Sequence, residues 1–247
     1  MPTEKEFYDV VGKTRGWSFT DLKVVSDPTP FDYFEVVARL IAPTTRWLDL
    51  GCGSCSGLEA LVLRSKAFVG VDRSPFMVEK AREALAPGPA NFRLQVGDSL
   101  TVDLEGQFGL ITARHAPFDP AAVVSLLEDG GTFLTQQVEA DDKQALKDAF
   151  GRRPGWDEGE RNSTRYERAF RNLGLDPEVR AYLVEEFYQT EEDLLFLLQN
   201  TPIVPDFGTI PGDHETFLRY VGENRTARGI RATSSRSLLT VYKENRR

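Results

Sequence analysis

The sequence predicts an α/β fold built on an open, mostly parallel sheet. Three observations carry that expectation. Short apolar stretches alternate with helix-spaced ones from about residue 30 onward. The stretch "LDLGCGSCSG" at 48–57 puts a glycine turn directly after an apolar run and before a helix-spaced one. Acids stand at the ends of three successive runs: Asp49, Asp72 and Asp98. With 247 residues the chain can bury a large core in one elaborated domain.

The elements follow in order. "SDPTP" at 26–30 breaks the chain, and Phe34, Val37, Ala38 and Ile41 then recur at helical spacing up to Pro43. "RWLDL" at 46–50 reads as the first sheet strand, and "LEALVL" at 58–63 as the helix after the glycine turn. "AFVGVD" at 67–72 is the second strand. Ser74 and Pro75 supply a cap and a first helical position for "MVEKAREAL" at 77–85. "NFRLQVGD" at 91–98 and "FGLITAR" at 108–114 are the third and fourth strands. Asp119-Pro120 opens a helix expected to end near Gly130-Gly131, and "TFLTQQV" at 132–138 is the fifth strand. Residues 140–176 read as helical, polar and loop-interrupted. "VRAYLVEEF" at 179–187 suits a strand, Thr190 with Asp193 caps an amphipathic helix through Leu194–Leu198, and "SLLTVYK" at 237–243 suits a last strand.

Composition narrows the function classes. Apolar residues at 40% and charged residues at 28% describe an ordinary globular chain. A net charge of -8 repels phosphate backbones and lowers the expectation of nucleic-acid binding. A local exception is Arg225–Arg247, with seven basic residues against one Glu. "MPTEKEFYDV" has no signal-like apolar stretch, and "LLFLL" at 194–198 is far too short to cross a bilayer. Two cysteines are too few for a disulfide scaffold. These features predict a cytoplasmic protein with no membrane partner.

The glycine turn admits three readings. Cys52 and Cys55 form a C-x-x-C, as a redox dithiol would, but a thioredoxin-like domain needs only about half of this chain. A zinc site would consume both cysteines and both histidines, His115 and His214, which lie far apart, so no metal is expected. The third reading uses more of the sequence. Gly51 and Gly53 let the backbone turn tightly and approach a ligand, and the helix start that follows offers free N–H groups. In an open parallel sheet all three acids face one crevice. There Asp72 is placed to accept ribose hydroxyls and Asp98 to meet an adenine amino group. A nicotinamide dinucleotide site is the rival, but it gives no reason for Asp49 or Asp98.

"LDLGCG", "VGVDRSPFMVEKARE" and "VGD" resemble, in order and spacing, the successive motifs of class I S-adenosylmethionine-dependent methyltransferases. "ITARHAPFDP" at 111–120 and "LLEDGGTFLTQQV" at 126–138 resemble the fourth- and fifth-strand motifs. "FYQTEEDLLFLLQNTPIVPDF" at 187–207, "FYDVVGKTRGWSF" and "SLLTVYK" are similar to a bacterial subgroup of that family without an assigned substrate. One departure is plain: Cys55 stands where the family has its third glycine, and Gly57 follows two residues later.

The resemblance implies a Rossmann-like, seven-stranded, mostly parallel sheet with helices on both faces and an antiparallel final strand. It implies S-adenosyl-L-methionine as cofactor, held by Asp49, Gly51, Cys52, Gly53, Asp72, Arg73, Asp98, Ser99 and Arg114. Arg114 is also the expected substrate contact and His115 the candidate base, since imidazole titrates near neutral pH. Of Gln136 and Gln137, strand alternation turns one to the crevice and one to the flank. Residues 1–30, with Phe7, Tyr8 and Trp17, are expected to form an extension or lid, and 31–247 the methyltransferase domain. An insertion around 140–225 would cover the substrate. The favoured acceptor is a small molecule. RNA, through the Arg225–Arg247 segment, is the runner-up, and a non-catalytic cofactor-binding protein is the third reading.

Overall fold

A computed structural model describes residues 22–86, 91–155 and 159–244. Phe7, Tyr8, Trp17 and the rest of 1–21 lie outside the described residues. The elements are β1 (Val24–Ser26), α1 (Tyr33–Leu40), β2 (Arg46–Leu50), α2 (Glu59–Arg64), β3 (Ala67–Asp72), α3 (Pro75–Leu85), β4 (Phe92–Val96), β5 (Phe108–Arg114), α4 (Pro120–Leu126), β6 (Leu127–Val138), α5 (Gln144–Phe150), α6 (Asn162–Asn172), β7 (Glu178–Tyr188), α7 (Glu191–Asn200), α8 (Asp213–Asn224), β8 (Arg225–Thr226) and β9 (Gly229–Tyr242). They form two compact units.

Among the described residues, the larger unit holds 31–86, 91–138, 162–181 and 237–244. Its strands run in the order β9-β6-β5-β2-β3-β4. The pairs β6–β5, β5–β2, β2–β3 and β3–β4 are parallel. The last strand is antiparallel, as expected: Gly130 N–H donates to Lys243 O at 2.8 Å and Lys243 N–H to Gly131 O at 3.0 Å. Alternation along β2 sends Trp47 into one apolar cluster, with Val37, Phe68 and Leu110. It sends Leu48 and Leu50 into the other, with Ile111, Phe118, Phe133 and Phe170. Helices start where the sequence supplies acceptors: Asp32, Ser74 and Asp119 each take a backbone N–H three residues on.

Among the described residues, the smaller unit holds 22–30, 139–155, 159–161 and 182–236. Here β1 pairs β7 antiparallel, β7 neighbours β9, and β8 turns back on β9. Its core gathers Leu146, Tyr188, Leu194, Leu198, Phe217, Tyr220 and Ile230. Thr190 and Asp193 form the expected capping box. A buried polar group lies beside this core. Lys143 Nζ donates to Glu186 Oε2 and to Ser234 Oγ, both at 2.6 Å, and Tyr188 OH donates to Glu186 Oε2 at 2.8 Å.

Three expectations need correction. The sheet has nine strands rather than seven. The additions, β1 and β8, are three and two residues long, too short to show a period in the sequence. The helix from Pro120 ends at Leu126, and the glycine pair lies inside β6 instead of before it. Lys243, from the last strand, donates to Val124 O at 3.0 Å and Leu127 O at 2.6 Å, and so caps that helix early. Finally, the stretch "PGDHE" reads as a surface loop around His214, but that residue lies in the first turn of α8, with an exposed side chain. The Pro-Gly pair before it hid the Phe217–Tyr220–Val221 helical spacing.

Candidate active site

The C-terminal ends of β2, β3, β4 and β5 carry the residues singled out by the sequence, all within the larger unit. The turn after β2 is anchored from below. Gly51 N–H and Cys52 N–H both donate to Val71 O, at 2.8 and 3.0 Å. Gly51 has φ +73, and a Cβ there would sit 2.3 Å from that of Ala116, so the turn after β5 closes onto it. Gly53, φ +55, is the opposite case: a Cβ there would meet nothing within 4 Å, so its backbone is open to a ligand.

Asp72 joins the turn to the second strand end. Its Oδ2 accepts Gly53 N–H and its Oδ1 accepts Ser74 N–H, each at 2.9 Å. Burial pushes this carboxyl up, and the two N–H bonds hold it back. Each oxygen keeps a lone pair for a further donor. Arg73 beside it is half-buried.

Asp49 is buried under the turn. Its Oδ1 accepts Thr112 OH at 2.5 Å, and Thr112 Oγ1 accepts Trp47 Nε1–H at 2.8 Å. Burial pushes the Asp49 carboxyl up to about 7; the Thr112 bond pulls it down and the Asp72 charge pushes it further up. Sequence reasoning missed Thr112, although the pairing Asp49↔Thr112 puts it next door on β5. It also missed Tyr33, whose hydroxyl is buried near Asp49 and beside Thr112 without a well-formed hydrogen bond among the described residues.

The third strand end is a capped turn. Asp98 Oδ1 accepts Leu100 N–H at 2.9 Å, and Asp98 is exposed. Ser99 OH donates to Pro117 O at 2.7 Å, which ties this loop to the one after β5.

At the fourth strand end, Arg114 is exposed and its Nε donates to Gln136 Oε1 at 3.0 Å. The guanidinium lies 4.9 Å from the Phe34 ring centroid and 5.5 Å from that of Tyr33. His115 has φ +53, its N–H donates to Gln136 O at 2.8 Å, and its side chain is exposed. Gln137 Nε2 donates to Ala116 O at 2.9 Å and to Thr135 Oγ1 at 2.7 Å. Both glutamines are buried and both hold the turn at 114–116, Gln136 on the face it shares with its pairing partner Arg114 and Gln137 on the other, with Thr135.

Cys52 and Cys55 are free, buried thiols packed in the apolar cluster around Trp47. A Cβ at Gly70 would lie 2.9 Å from Cys52 Sγ, so the cysteine side chain fills the hollow which that glycine leaves. The hydrogen bond with Cys55, together with burial, pushes the Cys52 thiol far up, so it stays protonated and inert. The Cys52 backbone N–H goes to Val71 O and its carbonyl accepts Cys55 N–H at 3.0 Å, so Cys52 serves the shape of the turn. Among the described residues no group of three or more His, Cys, Asp or Glu is arranged to hold a metal. No helix among them is long and apolar enough to cross a membrane.

The described basic residues of the segment, Arg225 to Lys243, are paired charge by charge. Arg225 meets Glu191 at 2.5 Å, Arg228 meets Asp27 at 2.6 Å, Arg231 meets Glu185 at 3.6 Å, and Arg236 meets Asp142. Lys243 lies 3.8 Å from Asp129. A cavity of about 410 Å³, lined by Gln107, Ala121, Val124 and Lys243 among others, lies where β5 and β6 begin. The glycine turn is at the opposite ends of the strands.

Residues 41–169 match the methyltransferase domain family. A ubiquinone biosynthesis O-methyltransferase from Xanthomonas campestris pv. campestris is 32% identical over 118 residues, 44% of this chain and 48% of that protein. The match thus spans about half the length of such curated relatives. Among solved structures, a functionally unknown protein from Deinococcus radiodurans R1 aligns with a TM-score of 0.66 at 16% identity, over 97% of this chain and 98% of that one. An S-adenosylmethionine-dependent methyltransferase from Thiobacillus denitrificans, in complex with S-adenosyl-L-homocysteine, aligns with a TM-score of 0.52 at 15% identity, over 97% and 98%. At these identities the likeness speaks for the fold.

Proposed function

The chain belongs to the class I S-adenosylmethionine-dependent methyltransferase family, and on that premise we propose that it methylates a small-molecule acceptor. One observation carries the cofactor reading. Asp72 ties the open Gly53 backbone to the second strand end and keeps lone pairs toward the crevice. A glycine turn without side-chain cover, with a carboxylate across from it, suits an adenosine ribose.

S-adenosylmethionine supplies a methyl group activated on a sulfonium. The chain's residues align and desolvate the partners, and alignment carries much of the rate in such displacements. In this reading Gly51, Gly53 and the Cys52 backbone face the methionine and ribose portion. Asp49 serves the amino end, Asp72 with Arg73 the ribose, and Asp98 with the Ser99 backbone the adenine. Arg114 and His115 face the methyl-transfer side. His115 takes the acceptor's proton when the acceptor holds one at working pH. His115→Gln should then flatten the pH profile of kcat while leaving cofactor affinity alone.

A small acceptor is supported by the acidic chain and by the ion pairing of the described basic residues from Arg225 to Lys243. The curated relative's name, an O-methyltransferase of ubiquinone biosynthesis, points the same way. Residues 140–225 are proposed to select the acceptor, and residues 1–30 to act as a lid. Exposed substitutions in 140–225 should alter acceptor KM alone, and removal of 1–25 should weaken cofactor binding. Calorimetric titration with S-adenosylmethionine, NAD and NADP tests the central claim. Micromolar binding of the first alone is expected, and its absence would sink the reading.

A further inference from the structure

We propose that Arg114 is a carboxylate receptor, held in readiness by Gln136, Phe34 and Tyr33. The inference rests on the cofactor reading above and adds a ligand group to it.

The basic residues of the Arg225–Lys243 segment each stand beside a carboxylate. Arg114 does not: among the described residues no Asp or Glu lies within ion-pair distance of its guanidinium. Its three holders are neutral. Gln136 takes only Nε, and the rings of Phe34 and Tyr33 lie against the central carbon of the group. The charge is therefore fixed in place without an ion-pair partner, and the buried Asp49 carboxyl feels it only at longer range. Both terminal nitrogens keep their donors, and they form the flat fork that meets a carboxylate through two parallel bonds. In a chain of net charge -8, an exposed cation held this way is set for an anion from outside.

The platform also belongs to the glycine turn. A Cβ on Gly57 would lie 3.7 Å from the Phe34 ring, so that ring sits against the end of the turn. The Tyr33 ring under Arg114 carries a buried hydroxyl beside Thr112 that makes no well-formed hydrogen bond among the described residues. Asp49 and Arg114 act on that phenol with opposite sign. A carboxyl group and a guanidinium that both act on Tyr33 complement the ammonium and carboxylate of an α-amino acid. The carboxylate Arg114 takes comes either from the amino-acid end of the cofactor or from an acidic acceptor, and the two sources can be told apart.

The test compares wild type, Arg114→Gln, Arg114→Lys and Gln136→Leu. The first arm titrates S-adenosylhomocysteine and 5′-methylthioadenosine, which shares the adenosine thioether but lacks the amino-acid end. If the cofactor is the source, Arg114→Gln weakens S-adenosylhomocysteine roughly ten- to a hundredfold and leaves 5′-methylthioadenosine unchanged. Arg114→Lys keeps the charge without the fork and falls between. Gln136→Leu lowers the first affinity and spares the second, which a general loss of structure would not do. The second arm measures turnover on acceptors offered as free acid and as methyl ester. If the acceptor is the source, wild type prefers the acid and Arg114→Gln loses that preference. An Arg114→Gln protein that matches wild type in both arms overturns the inference. Failure of the cofactor reading looks different, because wild type then binds neither nucleoside.

Discussion

Asp72 and Gly53 are joined by a hydrogen bond of 2.9 Å from the glycine N–H to the aspartate Oδ2. One carboxylate thereby shapes the turn after β2 and closes the end of β3. Asp72→Ala should cut S-adenosylmethionine affinity by roughly ten- to a hundredfold, since bonds to a charged group are worth about 1.5–3 kcal/mol. Calorimetry on the variant checks this. Unchanged affinity would remove Asp72 from the cofactor site.

Gly51→Ala places a methyl group against Ala116 and strains a residue at φ +73. A loss of about 1–3 kcal/mol is expected from overpacking and backbone strain together. Ala116→Gly should restore only the part that comes from the collision. Urea unfolding of both single variants and the double variant measures the coupling, and strict additivity would argue against the contact.

Folding raises the Asp49 carboxyl from 3.8 to about 7. The folded protein keeps a proton that the unfolded chain releases. The stability this contributes is fully present below about pH 3.8 and is lost as pH rises through about 7. Asp49→Asn removes the titration and keeps an oxygen for Thr112. Relative to wild type it should gain stability between pH 4 and 7, toward about 4 kcal/mol. Denaturant unfolding at pH 5 and 8 reads the difference; a flat comparison would place Asp49 in a wetter site than the structure shows.

Lys143 and Glu186 form an ion pair whose side chains are 2% and 18% exposed. Burial pushes the Glu186 carboxyl up, but Lys143, Ser234 and Tyr188 more than offset this and hold it below its ordinary value. Its stabilising effect is present above the unfolded value and is lost as pH falls through the folded one. Lys143→Met should cost about 3–5 kcal/mol at pH 7 by stranding a buried carboxylate. The cost should shrink in acid, where that carboxylate is protonated. A pH-independent loss would point to packing alone.

Cys52 and Cys55 lie in the apolar core as free, buried thiols. Cys52→Ser with Cys55→Ser should leave cofactor affinity nearly intact and lower stability by about 1–3 kcal/mol, because hydroxyls replace sulfur in a dry site. The native protein should resist aromatic disulfide reagents until it unfolds. Loss of affinity, or a reversible dithiol–disulfide cycle, would reopen the redox reading.

Local periodicity and local chemistry were enough for much of this protein. Apolar runs, capping residues and strand-end acids are contiguous patterns, so the parallel core, the glycine turn, Asp49, Asp72 and Asp98 were legible from the sequence alone. The Thr190–Asp193 capping box was legible for the same reason. Tertiary structure decided what depends on partners distant in the chain. Lys243 ends α4 early from 116 residues or more away, a cap that no local pattern encodes. The short strands β1 and β8 exist only because β7 and β9 offer them ladders. Cys52 faces the core because Gly70 on the neighbouring strand leaves room for its sulfur. Arg114 could be read as a charge at a strand end. That its charge is held by an amide and two rings rather than paired with a carboxylate follows only from the packing of α1, β5 and β6.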